Sequence, residues 1–192
     1  MSQIQTPVRG ASKPISRAIL AQAEKYRDDM VKFLRELIRL PSESTQEEKV
    51  GRRIKEEMEK LQVDEIVIDG FGNIRGRGGS GARKFAIDAH IDTVGVGDPA
   101  AWKWDPFEGK VENGIIYGRG ACDQTGGMVS AVYAGRILKD LGIGGDYSVY
   151  MVGSVMEEDC DGQSWLYILR EENPGLEAVI ITEPTDLQIY RG

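Results

Sequence analysis

The sequence predicts an α/β fold, a mixed and mostly parallel sheet flanked by helices. Three observations carry the prediction. Short apolar runs rich in valine and isoleucine alternate with longer segments of helical periodicity. The run at 84–91 is apolar enough for a central strand covered on both faces. Four segments also deliver an acid or imidazole on their C-terminal side: His90, Asp123, the pair Glu157-Glu158, and Glu183. Open sheets of this class bind ligands beyond the C-terminal ends of their strands.

Residues 1–14 read as a flexible lead, with 15–192 forming one domain. Over 15–40, Tyr26, Met30, Phe33, Leu34, Leu37 and Ile38 recur at helical spacing, and Pro41 stops the helix. Ser44 and Glu47 have capping-box spacing ahead of a second helix, whose buried stripe is Val50, Ile54, Met58 and Leu61. A strand at 65–69 turns through Gly70-Phe71-Gly72 into a returning strand at 73–76. The Gly-rich loop 76–81 leads to the strand at 84–91. Residues 95–110, with Trp102 and Trp104, have no period and read as an ordered loop whose aromatics could line a pocket, though covering the core is the commoner role. Asn113-Gly114 marks a hairpin within 111–117. Residues 124–141 read as a helix whose small early residues permit close approach to a sheet. A strand at 146–158, a helix at 164–172, a strand at 177–183 and a short strand at 187–191 complete the series.

At 192 residues the chain suits one domain, large enough to bury roughly 70% of its unfolded surface. A hydrophobic content of 41% beside 29% charged residues marks it as globular. The net charge of −7 and the lack of a basic stripe argue against nucleic-acid binding. No apolar run reaches the roughly 18–20 residues of a membrane span, and 1–14 lacks the apolar core of a secretory signal. The expected setting is therefore cytoplasmic, with no membrane partner, and with Cys122 and Cys160 as small, partly buried free thiols.

His90, the single histidine, ends one strand-like run, with Asp92 two residues on and Asp88 two residues before. If the strand persists, all three share a face. A metal-binding imidazole normally gives its other N–H to a carboxylate or carbonyl, a role for which Asp92 is placed. Asp123 precedes a helix, so it suits either an N-cap or a metal bridge. The Glu157-Glu158 pair suits either a solvated acidic loop or a divided site, in which one acid ligates and the other moves a proton. Glu183 is held extended by Pro184. As a set, these ligand types suit zinc, manganese or cobalt.

Four strings come in order: Ala-His-Ile-Asp-Thr-Val at 89–94, Gly-Arg-Gly-Ala-Cys-Asp-Gln-Thr-Gly-Gly at 118–127, Met-Glu-Glu-Asp at 156–159 and Ile-Thr-Glu-Pro-Thr-Asp at 181–186. The chain thereby resembles, from Met30 to Gly192, the co-catalytic zinc metallopeptidases related to acetylornithine deacetylase, succinyl-diaminopimelate desuccinylase and carboxypeptidase G. Its wording is most similar to a subgroup labelled selenium-metabolism hydrolases. The resemblance implies a di-metal hydrolase, most simply with two zinc ions, that cleaves an amide bond in an N-acyl amino acid or small peptide. It implies that His90 and Glu183 bind one metal, Asp123 bridges both, Glu158 binds the second, Asp92 orients His90, and Glu157 is the general base.

The chain departs from that family's pattern. Members run to roughly twice this length, with a lid and homodimerisation domain and two further functional histidines. Here His90 stands alone, and Thr125 replaces a lysine common two residues after the bridging aspartate. The expectation is that 15–192 form the N-terminal part of the catalytic domain and act weakly or not at all alone. The alternative is a non-catalytic metal- or ligand-binding module derived from the same fold. A nucleotide-binding reading of Gly76-Arg77-Gly78-Gly79 is poor, because no suitable helix follows it.

Overall fold

A computed structural model describes residues 13–186 and 188–190. The first helix, α1 (Lys13–Ile38), is followed by α2 (Glu48–Lys60), β1 (Glu65–Ile68), β2 (Ile74–Gly78) and β3 (Arg83–His90). A small hairpin, β4 (Lys110–Glu112) and β5 (Ile115–Tyr117), precedes α3 (Thr125–Asp140). Then come β6 (Tyr147–Ser154), α4 (Gln163–Tyr167) running on as a π-helical turn (Ile168–Glu172), and β7 (Ala178–Ile181). Helix α1 opens two residues before the expected start, with Pro14 in its first turn, where proline costs no hydrogen bond. The rest of the expected lead, 1–12, lies outside the described residues.

The main sheet has the order β1-β2-β6-β3-β7. β3 pairs in parallel with β6 and β7, whereas β2 runs antiparallel to both β1 and β6. All strands but β2 therefore share one direction, which is the mixed, mostly parallel sheet expected. The Asn113-Gly114 hairpin forms as expected, with positive φ at both turn residues.

One face of the sheet meets α1, α2 and α3. Its core includes Phe33, Leu37, Ile54, Met58, Ile74, Ala89, Met128, Tyr133 and Met151. The early glycines of α3 allow the close approach that the sequence suggested: a Cβ on Gly127 would stand 2.1 Å from Thr182 Oγ1. The other face is covered more thinly, by α4 and the π-turn, through Ala86, Val152, Ile168 and Trp165. Edge strand β7 keeps Ile180 and Ile181 exposed. No strand forms over 188–190; 187 and 191, the ends of the expected last strand, lie outside the described residues.

Three expectations need correction. Ser44 and Glu47 do not form a capping box: Glu47 makes no side-chain cap at α2, and both side chains instead reach toward the sheet's C-terminal edge. The tryptophan loop does not cover the core; Trp102, Trp104, Tyr117 and Cys122 line a cavity of about 410 Å³. Cys122 and Cys160 are exposed rather than partly buried, because both sit in turns at that edge.

Candidate metal centre

The site lies where β3, β6 and β7 end. β3 places Asp88 and His90 on the face that carries α4, since alternate residues share a side. His90 is 2% exposed. Its Nδ1 lies 2.9 Å from the Asp92 backbone oxygen and 3.4 Å from Asp92 Oδ1. Its Nε2 lies 2.9 Å from Asp123 Oδ1, 3.8 Å from Glu157 Oε2 and 4.0 Å from Glu183 Oε1. Glu183 is thus on the same side of the sheet as His90.

Asp123 sits in the turn ahead of α3 and does not cap it; the cap position is Gln124. Gln124 is fully buried, donating from Nε2 to Glu183 Oε1 and accepting from Thr182 Oγ1 at 2.8 Å. Sequence reasoning missed this residue, whose one available signal was adjacency to Asp123.

The strand that delivers the acid pair ends earlier than expected, at Ser154, and the chain turns before Glu157. Asp92, with no exposed surface, holds that turn. Its Oδ1 accepts from Glu157 N at 3.1 Å; its Oδ2 accepts from Glu158 N at 3.0 Å and from Ser44 Oγ at 2.7 Å. The imidazole Nδ1 is shared between the Asp92 carbonyl and, at longer range, its carboxylate, which also grips the acid pair.

Two overlapping donor groups result, His90–Asp123–Glu158 and His90–Glu157–Glu183, the ligand atoms of each lying within 4.8 Å of one another. Among the described residues, Asp123, Glu157 and Glu183 pair with His90, and none of the cluster's acids pairs with a lysine or arginine. Like charges at such distances repel by about 4 kcal/mol per pair at an effective dielectric of 20, so the arrangement calls for added positive charge.

The titrations reflect this crowding. Burial raises the Glu157 carboxyl and the neighbouring charges of Glu183, Asp161 and Glu158 add to it, against the opposing pull of His90. Glu183 is raised for the same reasons, burial first and then Asp123 and Glu158. Burial lowers His90, but hydrogen bonds to Asp92 and Asp123 outweigh it and push the imidazole up to about 10. Burial works against Asp92 too, yet hydrogen bonds from His90, Ser44 and the two glutamate N–H groups hold it below the usual carboxylate range. Asp88 is pushed up to about 6 by burial, against hydrogen bonds from Trp165 and Ser154. A cavity of about 370 Å³ opens beside the cluster, lined by Asp88, His90, Ser154, Glu157, Trp165 and Glu183.

One buried imidazole and four carboxylates converging with no lysine or arginine paired to them among the described residues fit hard or borderline divalent ions. His90 and Asp123, with Glu158 on one side and Glu183 on the other, would hold them.

The model of the peptidase family M20/M25/M40 matches residues 86–191. The Escherichia coli K12 protein YgeY is 51% identical over 176 residues, covering 92% of this chain and 44% of that protein. A probable succinyl-diaminopimelate desuccinylase of Staphylococcus epidermidis is 28% identical over 167 residues, covering 84% of this chain and 41% of that protein. The chain thus spans less than half the length of these relatives. In fold it is similar to the yeast di-peptidase Dug1p, with a TM-score of 0.77 at 18% identity over 87% of this chain and 40% of that one. It is similar also to YXEP of Bacillus subtilis, described as a dinuclear metal binding peptidase from the M20 family, with a TM-score of 0.62 at 19% identity over 82% of this chain and 43% of that one. The matched segment takes in every acid of the cluster and His90, and on that match the chain belongs to peptidase family M20/M25/M40.

Proposed function

We propose that this chain carries the metal-binding and proton-transfer groups of a metal-dependent hydrolase that cleaves an amide bond in an N-acyl amino acid or small peptide. The observation that carries the reading is the convergence of His90, Asp123, Glu157, Glu158 and Glu183 at one sheet edge with, among the described residues, no basic partner but His90. Bound divalent ions, zinc foremost and cobalt or manganese as substitutes, supply Lewis acidity that polarises an amide carbonyl and acidifies a water. Asp123, exposed and 2.9 Å from His90 Nε2, would be the acid shared between the two ions, beside His90, which belongs to both donor groups. Glu158 belongs to one group and Glu183 to the other, so each ion would have its own acid. Glu157 is the general base: its raised carboxyl takes a proton from the attacking water and passes it to the leaving amine. Asp92 fixes His90 from one side and the acid pair from the other.

The chain supplies residues 15–192 of a catalytic domain that works within a longer polypeptide, dimeric through its lid. Two facts support this. His90 is the single histidine, and the relatives are more than twice as long. The first of these also favours the second reading, a metal-binding module without turnover, because the Asp123–Glu158 side has no imidazole of its own.

The test is release of free amino acid from N-acyl amino acids and dipeptides by metal-stripped protein resupplied with zinc, cobalt or manganese. A full-length version should turn over in a metal-dependent way, and the 192-residue chain at least about a hundredfold more slowly, since positioning and transition-state stabilisation are lost. Metal binding without turnover in the full-length version would favour the module.

A further inference from the structure

The backbone of 155–158 carries both acids of the pair in a conformation that the chain does not adopt freely. Met156 has φ 59°, in the left-handed region, where side chains other than Asn, Asp or Gly are uncommon. Four successive N–H groups in this turn each donate to a side-chain oxygen from a different part of the chain or a different oxygen of one acid. Val155 N donates to Asn73 Oδ1 at 3.0 Å, and Met156 N to Glu47 Oε1 at 2.9 Å. Glu157 N and Glu158 N donate to the two oxygens of Asp92. Asn73 is itself fixed: its N and Nδ2 donate to Asp69 Oδ1 and Oδ2, each at 3.0 Å. Glu47 is 6% exposed and Asn73 fully buried. Neither belongs to the donor cluster.

We propose that Glu47 and Asn73 are positioning residues for the Glu157-Glu158 pair, locking the left-handed turn that lets two adjacent acids serve one site. Adjacent residues on an extended strand point to opposite faces, so the turn at Met156 is what allows both acids to reach His90's surroundings. Repulsion between the two carboxylates favours any backbone that separates them. Anchoring every N–H of the turn opposes that drift, and carboxylate acceptors make the strongest anchors. Backbone strain of this kind persists only where surrounding contacts over-determine it. Glu47 does this from the start of α2 and Asn73 from the β1–β2 turn, with Asp92 completing the set. The inference rests on the metal-site reading proposed above and concerns what holds that site in shape.

The test is calorimetric titration of the metal-free chain with Zn²⁺, comparing wild type with Glu47→Met, which has similar length but no oxygen acceptor, and Glu47→Gln, which keeps one. The methionine variant should bind about 10–100-fold more weakly, the usual effect of removing a group that orients ligands. The glutamine variant should rescue binding to near the wild-type value. Circular dichroism on the same samples confirms that folded protein is compared. Equal affinity of wild type and Glu47→Met, or equal loss in both variants, overturns the proposal. Hydrogen exchange of the Met156 amide in wild type supplies a readout that needs no variant: protection supports the clamp, and exchange at the free rate in folded protein overturns it. A wild-type chain that binds no zinc yet protects this amide sinks the metal reading and leaves the clamp standing.

Discussion

Asp92 shows how much a single side chain organises. It is wholly buried and ionised, and it joins Ser44 and His90 to the N–H groups of both glutamates. Asp92→Asn keeps the shape but offers one oxygen to two N–H donors, so one of them faces an amide nitrogen instead. The expected cost is about 1–3 kcal/mol of stability, the penalty of one buried donor left unmet. Zinc affinity should fall about 10–100-fold as well, because the acid pair and His90 lose their common support. Urea denaturation and metal titration check the two parts; an unchanged midpoint would mean that Asp92 bears no such load. The sequence singled out the residues that converge here, because each had an ordinary structural reading alone but all recurred together at the ends of apolar runs. It did not single out their supports. Ser44 meets Asp92 across 48 residues, Val155 meets Asn73 across 82, and Glu47 meets Met156 across 109. Local spacing, which suggested a capping box for Ser44 and Glu47, carries no information about partners so distant.

At the scale of elements, the helical layer is tied by one buried charge. Glu57 on α2 is 1% exposed and accepts from Tyr133 of α3 at 2.7 Å, from Arg53 at 2.6 Å and from Lys60 at 3.0 Å. Arg53 reaches on to Glu36 of α1, so the cluster spans all three helices over that face. Removing one member of such a set leaves the others buried and unpaired, and Glu57→Ala should cost about 3–5 kcal/mol in chemical denaturation. The same residue sets an acid limb. Burial works to raise its carboxyl, but the hydrogen bonds from Tyr133, Arg53 and Lys60 outweigh it and hold it below the ordinary range. Its stabilisation is therefore complete above the unfolded carboxyl value of about 4.3 and is lost as pH falls through the lower folded value. Glu57→Gln should flatten stability against pH in that window; an unaltered acid limb would assign it to other groups. Periodicity predicted α1, α2, α3 and the central strands to within a few residues, because long amphipathic segments and apolar runs leave little choice. It also placed the helix at 164–172 and the loop at 95–110, but not the π-helical continuation of the one or the cavity lined by the aromatics of the other. Neither a π-turn nor a loop conformation has a repeating pattern to read.

For the whole molecule, like charges crowd the C-terminal edge of the sheet while three helices stabilise the opposite layer. A divalent ion bound to the folded state alone should relieve the crowding and stabilise the chain. At a free concentration 100 times the dissociation constant the gain is about 2.7 kcal/mol. For a chain of this size that corresponds to a Tm rise of about 5–10 °C, visible by scanning calorimetry and reversed by a chelator. No helix among the described residues is long and apolar enough to cross a membrane. The central claim is that His90 and its surrounding acids form a metal centre in which Glu158 holds an ion and Glu157 moves protons. The most direct test is zinc titration of the metal-free chain beside His90→Ala, Glu158→Gln and Glu157→Gln. The account predicts binding by wild type, its abolition in His90→Ala, marked weakening in Glu158→Gln, and near wild-type affinity in Glu157→Gln. Binding that survives loss of His90, or that is lost with Glu157 but not with Glu158, would contradict it.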